Sequence, residues 1–265
     1  IETRRAGVRR LVTPELSPHG GFLFRPVASA NPARHEAQQG GAARELLSFL
    51  MSEFGDVRLT HAPAVTDVRE FSWAGWDMNP RYTYSIPLEP REKLWDRLER
   101  RTRAVIRRAE GELRFATTDD SALVRRQYDL LYERSAEAPV DADFVERFVQ
   151  HATKRGLTES YVVEDPASGI VASIVVFVRG FDTMYAWVAG ANPTYRDSGA
   201  TSLLYWKLLL QSPFSRFDFV GANMREIALF KRGFGGTLLP YSAVAWCGSP
   251  LLRTWRSLRR WIKRA

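Results

Sequence analysis

Phe217-Asp-Phe-Val-Gly-Ala-Asn223 is followed by Ile227-Ala-Leu-Phe-Lys-Arg-Gly-Phe-Gly-Gly236 and by Leu239-Pro-Tyr241, and this stretch decides the fold. Phe217 to Val220 reads as a short aromatic strand that runs into glycine. Arg225 to Arg232 reads as a helix closed by glycines, and Tyr241 to Trp246 as a final strand. Working back, Gly199 to Gln211 has the apolar density of a packed helix, Asn192 to Ser198 is loop, and Thr183 to Ala191 is strand-like. Two apolar β-branched runs, Ser160 to Glu164 and Ile170 to Arg179, flank the turn-rich Asp165-Pro-Ala-Ser-Gly169 and predict an antiparallel hairpin. The order hairpin, strand, loop, helix, strand, helix, strand predicts an α/β domain.

Three helices are expected ahead of that block. Arg91 to Glu110 carries Leu94, Trp95, Leu98, Val105 and Ile106 among eight basic residues, Ser121 to Arg134 has an apolar face, and Asp141 to Arg155 completes the set. In the first ninety residues, Asn31 to Gly41 reads as a loop and Ala43 to Phe54 as a helix. Val57 to Leu59 and Tyr82 to Ile86 read as strands. Past Trp246, Leu251 to Ala265 reads as a basic amphipathic helix, with Leu251, Trp255, Leu258 and Ile262 on one face. The expected division is 1–90, 91–248 and 249–265.

Composition limits the chemistry. With 45% hydrophobic and 26% charged residues the chain is a globular protein of ordinary balance. One cysteine, Cys247, excludes an intramolecular disulfide and fits a reducing compartment. His19, His35, His61 and His151 are scattered without metal-ligand spacing, so no metal site is expected. No apolar run approaches the ~18 residues of a membrane span, and the expected location is cytoplasmic, with contact at the inner membrane face through the C-terminal helix as one option. The net charge of +8 favours polyanionic partners.

Two constellations carry candidate chemistry. Tyr195-Arg-Asp-Ser-Gly-Ala-Thr201 enters a helix, where glycine admits a phosphate closely and the first-turn amides face an anion. Arg196, Ser198, Gly199, Ala200 and Thr201 are therefore the candidate cofactor-binding residues, the alternative being that Asp197 or Ser198 merely caps the helix. Lys231 is the second candidate. An ammonium placed at an acyl carbonyl stabilises the oxyanion formed on aminolysis, an effect worth about 2.7–4 kcal/mol for one such donor. Alternatively, Lys231 and Arg232 complement the helix dipole with Gly233 as a left-handed cap. Asp218, between two aromatics, is the candidate general base, or else holds the adjacent loop by accepting backbone hydrogen bonds.

The Phe217-Asp-Phe-x-Gly strand end, the Phe230-Lys-x-x-Phe-Gly235 helix closure, the Arg103-x-x-Ile-Arg-Arg-Ala109 helix end and the Pro80-Arg-Tyr-Thr-Tyr84 strand together resemble the GNAT superfamily, close to its FemABX branch. The likeness runs from near residue 68 to 246. It implies a tandem arrangement, with a partial N-terminal GNAT-like domain, a complete C-terminal one and the active cleft between them. The loop at Arg196 and Gly199 is similar to the GNAT coenzyme A loop, with Thr201 where a small residue is usual. By the resemblance, Phe230 and Lys231 lie at the donor carbonyl, while Tyr185, Trp187 and Asn223 face substrate; ordinary core packing explains Tyr185 and Trp187 equally well. FemABX proteins use aminoacyl-tRNA to extend peptidoglycan precursor peptides, and sister families use acyl-CoA. No tightly bound cofactor is implied.

The expected function is transfer of an acyl or aminoacyl group from an activated donor to an amine on a small molecule, peptide or peptidoglycan precursor. Arg196 and Gly199 favour acyl-CoA slightly. Aminoacyl-tRNA, a tRNA partner, is favoured by the basic 91–108 helix and the basic tail. A non-catalytic RNA- or membrane-binding module is the alternative from another class, in which Lys231 would be dispensable. The short N-terminal half means either that residues precede Ile1 or that the first domain is reduced.

Overall fold

The computed structural model describes residues 1–5, 7–25, 30–133 and 138–248. The expected 249–265 helix lies outside the described residues. In chain order the elements are β1 (Glu2–Arg5), β2 (Val8–Val12), α1 (Pro32–Glu53), β3 (Asp56–Thr60), α2 (Arg69–Trp73), β4 (Asp77–Pro87), α3 (Arg91–Arg97) and α4 (Arg100–Glu112). They continue with β5 (Arg114–Thr118), α5 (Ser121–Tyr132), α6 (Ala142–Lys154), β6 (Thr158–Glu164), β7 (Val171–Arg179), β8 (Thr183–Ala191), α7 (Ala200–Gln211), β9 (Arg216–Asp218), α8 (Arg225–Arg232) and β10 (Thr237–Cys247).

Two compact units emerge, one of Ile1–Arg81 with the chain from Pro240 onward, the other of Tyr82–Leu239. In the first, β2 pairs antiparallel with β1 and parallel with β3, and β3 pairs antiparallel with β10. Leu47 and Leu50 of α1 bury against Val57, Leu59, Phe71 and Trp76. His61 is fully buried there, its ring nitrogen Nδ1 accepting from the Phe22 amide, and burial pushes its pKa down to about 4.

In the second unit the strands run β4-β9-β8-β7-β6-β5. All neighbours are antiparallel except β8 and β9, which are parallel. The core packs α7 (Leu203, Leu204, Tyr205, Trp206, Leu208) against Val175, Phe177, Met184, Phe217 and Phe219 of the sheet and Ile106 of α4. That helix is apolar nearly all round because it is covered on nearly every side.

Four expectations need correction. The segment read as a loop is the first half of α1, which starts at Pro32 because the Asn31 side chain accepts from the Ala33 and Arg34 amides and proline fits the first helical position. The helix expected over Arg91–Glu110 is broken at Leu98-Glu99, both extended, where the Glu99 amide donates to the Gly233 carbonyl at 2.9 Å. Gly233 is right-handed (φ −56°), so it is not the left-handed cap. That conformation belongs to Gly235 (φ +72°), where a Cβ would stand 2.2 Å from the Arg97 carbonyl oxygen. Finally, β1, β2, β5 and α2 were not anticipated.

Candidate active site

Pairing between β8 and β9 covers only Thr183–Arg216, Met184–Phe217 and Tyr185–Asp218. Beyond that point β8 continues to Ala191 while the chain after Asp218 turns away through Val220 (φ 50°) and Gly221 (φ 73°). A β-branched residue at positive φ is strained, and the surroundings must impose it. Lys231 and Asp218 do so. The Lys231 ammonium, in a side chain only 8% exposed, donates to the carbonyls of Phe219 (2.8 Å), Val220 (2.8 Å) and Gly221 (2.5 Å). An ammonium has three protons, and three carbonyls take them. Burial pushes the Lys231 pKa down to about 8, with the negative charge of Asp218 opposing the shift. Asp218 Oδ1 accepts from the Thr83 hydroxyl at 2.6 Å and from the Val220 amide at 2.7 Å. Oδ2 makes no hydrogen bond among the described residues.

On β8, Tyr185 and Trp187 are half-buried and alternate with the buried Met184, Ala186 and Val188. Tyr185 lies beside Asp218 in register; burial, then the Asp218 charge, raises its pKa. Trp187 packs on Phe148 of α6, ring centroids 4.5 Å apart. The pairing of β7 with β8 slips between Val176 and Phe177, a bulge at which Trp187 is the extra residue of β8. Asn223 is exposed, and its Oδ1 accepts from the Tyr82 amide, extending the contact of this loop with β4.

A cleft of about 710 Å³ opens between α4, the start of α7 and α8. At one end, Gly199 (φ 84°) begins α7, and a Cβ there would stand 2.7 Å from Val105 Cγ1 and 3.2 Å from the Val105 carbonyl. The amides of Thr201 and Ser202 donate to no group among the described residues, as expected of a first helical turn. Arg196 and Arg101 also line the cleft, without an ion pair among the described residues, while Arg232 pairs with Glu99 at 2.9 Å. The rest of the lining combines Glu99, Asp197 and Thr102 with an apolar patch of Val105, Ile227, Leu229 and Phe230, the last packed against Tyr205 and Phe234.

The site residues thus fall into groups. Arg196, Gly199, Thr201 and Phe230 line the cleft, but the Thr201 hydroxyl is engaged by Ser173 Oγ at 2.9 Å. Ser198 Oγ donates to the Tyr195 carbonyl and accepts from the Ala200 amide, so its hydroxyl is engaged within the loop, and Ala200 is buried. Lys231, Asp218 and Tyr185 gather at the parting of β8 and β9. Arg101, Val105, Ile227, Leu229 and Thr83 were not singled out as site residues; Ile227 and Leu229 had left a signal, large apolar side chains on a short helix with charged ends. Among the described residues, no three His, Cys, Asp or Glu side chains are grouped to hold a metal ion. No described helix is long and apolar enough to cross a membrane.

The family described as Acetyltransferase (GNAT) domain matches residues 95–232, more than half of the chain. The protein is a transferase of the GNAT family. Solved structures share the fold of this GNAT protein. FemX superposes with a TM-score of 0.60 at 13% identity, over 77% of this chain and 76% of that one. A conserved protein of unknown function from Bacteroides thetaiotaomicron gives 0.59 at 10% identity, over 78% and 75%. L-PGS from Bacillus licheniformis gives 0.52 at 10% identity, over 87% and 80%. Against curated proteins the chain has no significant match.

Proposed function

We propose that this GNAT transferase moves an acyl group from an acyl-CoA thioester to an acceptor amine. The observation that carries the reading is the anion-seeking part of the cleft lining, the unbonded amides of Thr201 and Ser202 at the start of α7 together with the Arg196 and Arg101 side chains that line the same cleft. Helix amides and flanking guanidiniums are the donors that a pyrophosphate requires. The apolar patch from Val105 to Phe230 suits the uncharged arm and acyl group of such a donor.

In this reading the acceptor nitrogen attacks the thioester carbonyl, forming the C–N bond and placing the electron pair on oxygen. Collapse breaks the C–S bond and releases the thiolate, which takes a proton from solvent, while the amine gives up a proton. Asp218 Oδ2 takes that proton, directly or through one water, and Tyr185, Trp187 and the Asn223 amide hold the acceptor. Lys231 acts mainly by holding Phe219–Gly221 in place. To reach an oxyanion directly it must release one of its three carbonyls. The acceptor is an amine on a small molecule, peptide or peptidoglycan precursor.

Aminoacyl-tRNA is the second reading, supported by Lys93, Arg100, Arg101 and Arg107, all exposed along α3 and α4, with Arg101 reaching the cleft. Thiol release from a panel of acyl-CoAs with mixed amines tests the first. Turnover that falls at least tenfold when Arg101 and Arg196 are both replaced by alanine is the expected result. Amine acylation with aminoacyl-tRNA and none with any acyl-CoA would transfer the function to the second.

A further inference from the structure

The turn between β7 and β8 is closed by the Gly180 amide donating to the Thr183 carbonyl at 2.8 Å, and it leaves Phe181 104% exposed. Leu157, 50% exposed, lies beside it, its carbonyl accepting from the Arg179 amide at 2.9 Å. On the other side the Asp182 carbonyl accepts from the amides of Ser215 and Arg216. Leu157, Phe181 and the loop before β9 therefore form one continuous rim at the end of the second unit's sheet. Lys154, Arg155 and Arg216 are exposed along it and form no ion pair among the described residues. Arg179 pairs with Glu159 and lies over the Phe214 ring at 5.3 Å, and Asp182 is the exposed acid of the rim.

Scattered exposed apolar residues are ordinary. Here, however, two of them sit at the tips of adjacent turns, with cations on both sides. We propose that this rim docks on an anionic lipid bilayer, Phe181 and Leu157 entering the headgroup–acyl boundary while Lys154, Arg155 and Arg216 meet anionic headgroups. A projecting turn suits a surface that yields to it. A polyanion such as RNA would use the same cations but would have no use for Leu157. The geometry leaves the donor cleft free: β8 begins at the rim and its last residue, Ala191, lines the cleft, about 30 Å away along nine residues of strand.

The test is sedimentation of the full chain with vesicles of phosphatidylcholine alone or mixed with phosphatidylglycerol, at near-physiological salt. The wild type, Phe181→Ser/Leu157→Ser and Lys154→Glu/Arg155→Glu/Arg216→Glu are compared after thermal unfolding shows that all three fold. The expected result is binding to the mixed vesicles only, with at least tenfold weaker partitioning in both variants. Wild-type chain that ignores the mixed vesicles, or binds both kinds equally, overturns the proposal. So does undiminished binding by the apolar variant, which would assign the contact to charge alone or to another part of the chain. So does undiminished binding by the charge variant.

Discussion

Replacing Gly199 by alanine separates the packing at the start of α7 from the donor binding proposed there. A left-handed alanine costs about 1–2 kcal/mol, and the added methyl stands 2.7 Å from Val105 Cγ1, 3.2 Å from the Val105 carbonyl and 3.3 Å from Ala109 Cβ. Overpacking of this kind costs about 1–3 kcal/mol. The sum, roughly 2–5 kcal/mol, corresponds to a melting temperature lowered by roughly 5–15 °C in a chain of this size. Val105→Ala in the same chain should recover the side-chain part of the clash but neither the backbone contact nor the dihedral cost. Arg196→Ala, at an exposed residue with no ion pair among the described residues, should leave melting within about 0.5 kcal/mol of wild type while weakening donor binding. The assay is thermal unfolding by circular dichroism beside donor titration of each variant. A Gly199→Ala protein as stable as wild type would refute the packing argument, and loss of binding in that variant alone would then need another cause.

Asp218→Asn keeps an oxygen for Thr83 and Val220, so folding should survive; if Oδ2 takes the proton, turnover should drop by about 10²-fold or more, as loss of a general base typically does. Unchanged turnover would reduce Asp218 to a loop anchor. Thr201→Val removes the hydroxyl bond to Ser173 and should cost about 1–3 kcal/mol of stability with little change in donor affinity; the reverse pattern, in denaturant melts and titrations, would make the hydroxyl a ligand. For Lys231, whose pKa burial lowers in the folded state from the ordinary 10.5 to about 8, the folded state gives up a proton between those values that the unfolded chain keeps. Stability should therefore rise with pH across that window, be complete above 10.5 and be lost as pH falls through 8, with a slope on the order of 1 kcal/mol per unit that Lys231→Met flattens. An identical pH slope in the variant would show that another group titrates.

Thr183–Ala191 and Arg225–Arg232 were legible to the residue, because each is bounded by turn residues and carries one unbroken pattern. The break at Leu98-Glu99 was not, since both residues favour helix; it is made by a partner far along the chain, the Gly233 carbonyl and Arg232. The start of α1 was legible in Asn31-Pro32, but the glutamines and glycines that follow outweighed the cap. The strands β1 and β2 are arginine-rich and take their form from β3, which local pattern does not report. At the site, residue type pointed to Lys231, Asp218 and Gly199, whereas their partners are backbone carbonyls, a threonine and a valine on distant elements. Side-chain chemistry shows in sequence; the backbone that engages it does not.

If the cleft at the start of α7 takes the donor through its pyrophosphate, as proposed, coenzyme A binds there. Calorimetric titration with coenzyme A, in parallel with a mixed aminoacyl-tRNA pool at near-physiological salt, tests it most directly. Saturable binding of coenzyme A that weakens at least tenfold in Arg101→Ala/Arg196→Ala, while the variant melts like wild type, is the expected result. No binding of coenzyme A, with tRNA binding that depends on the attached amino acid, would contradict it.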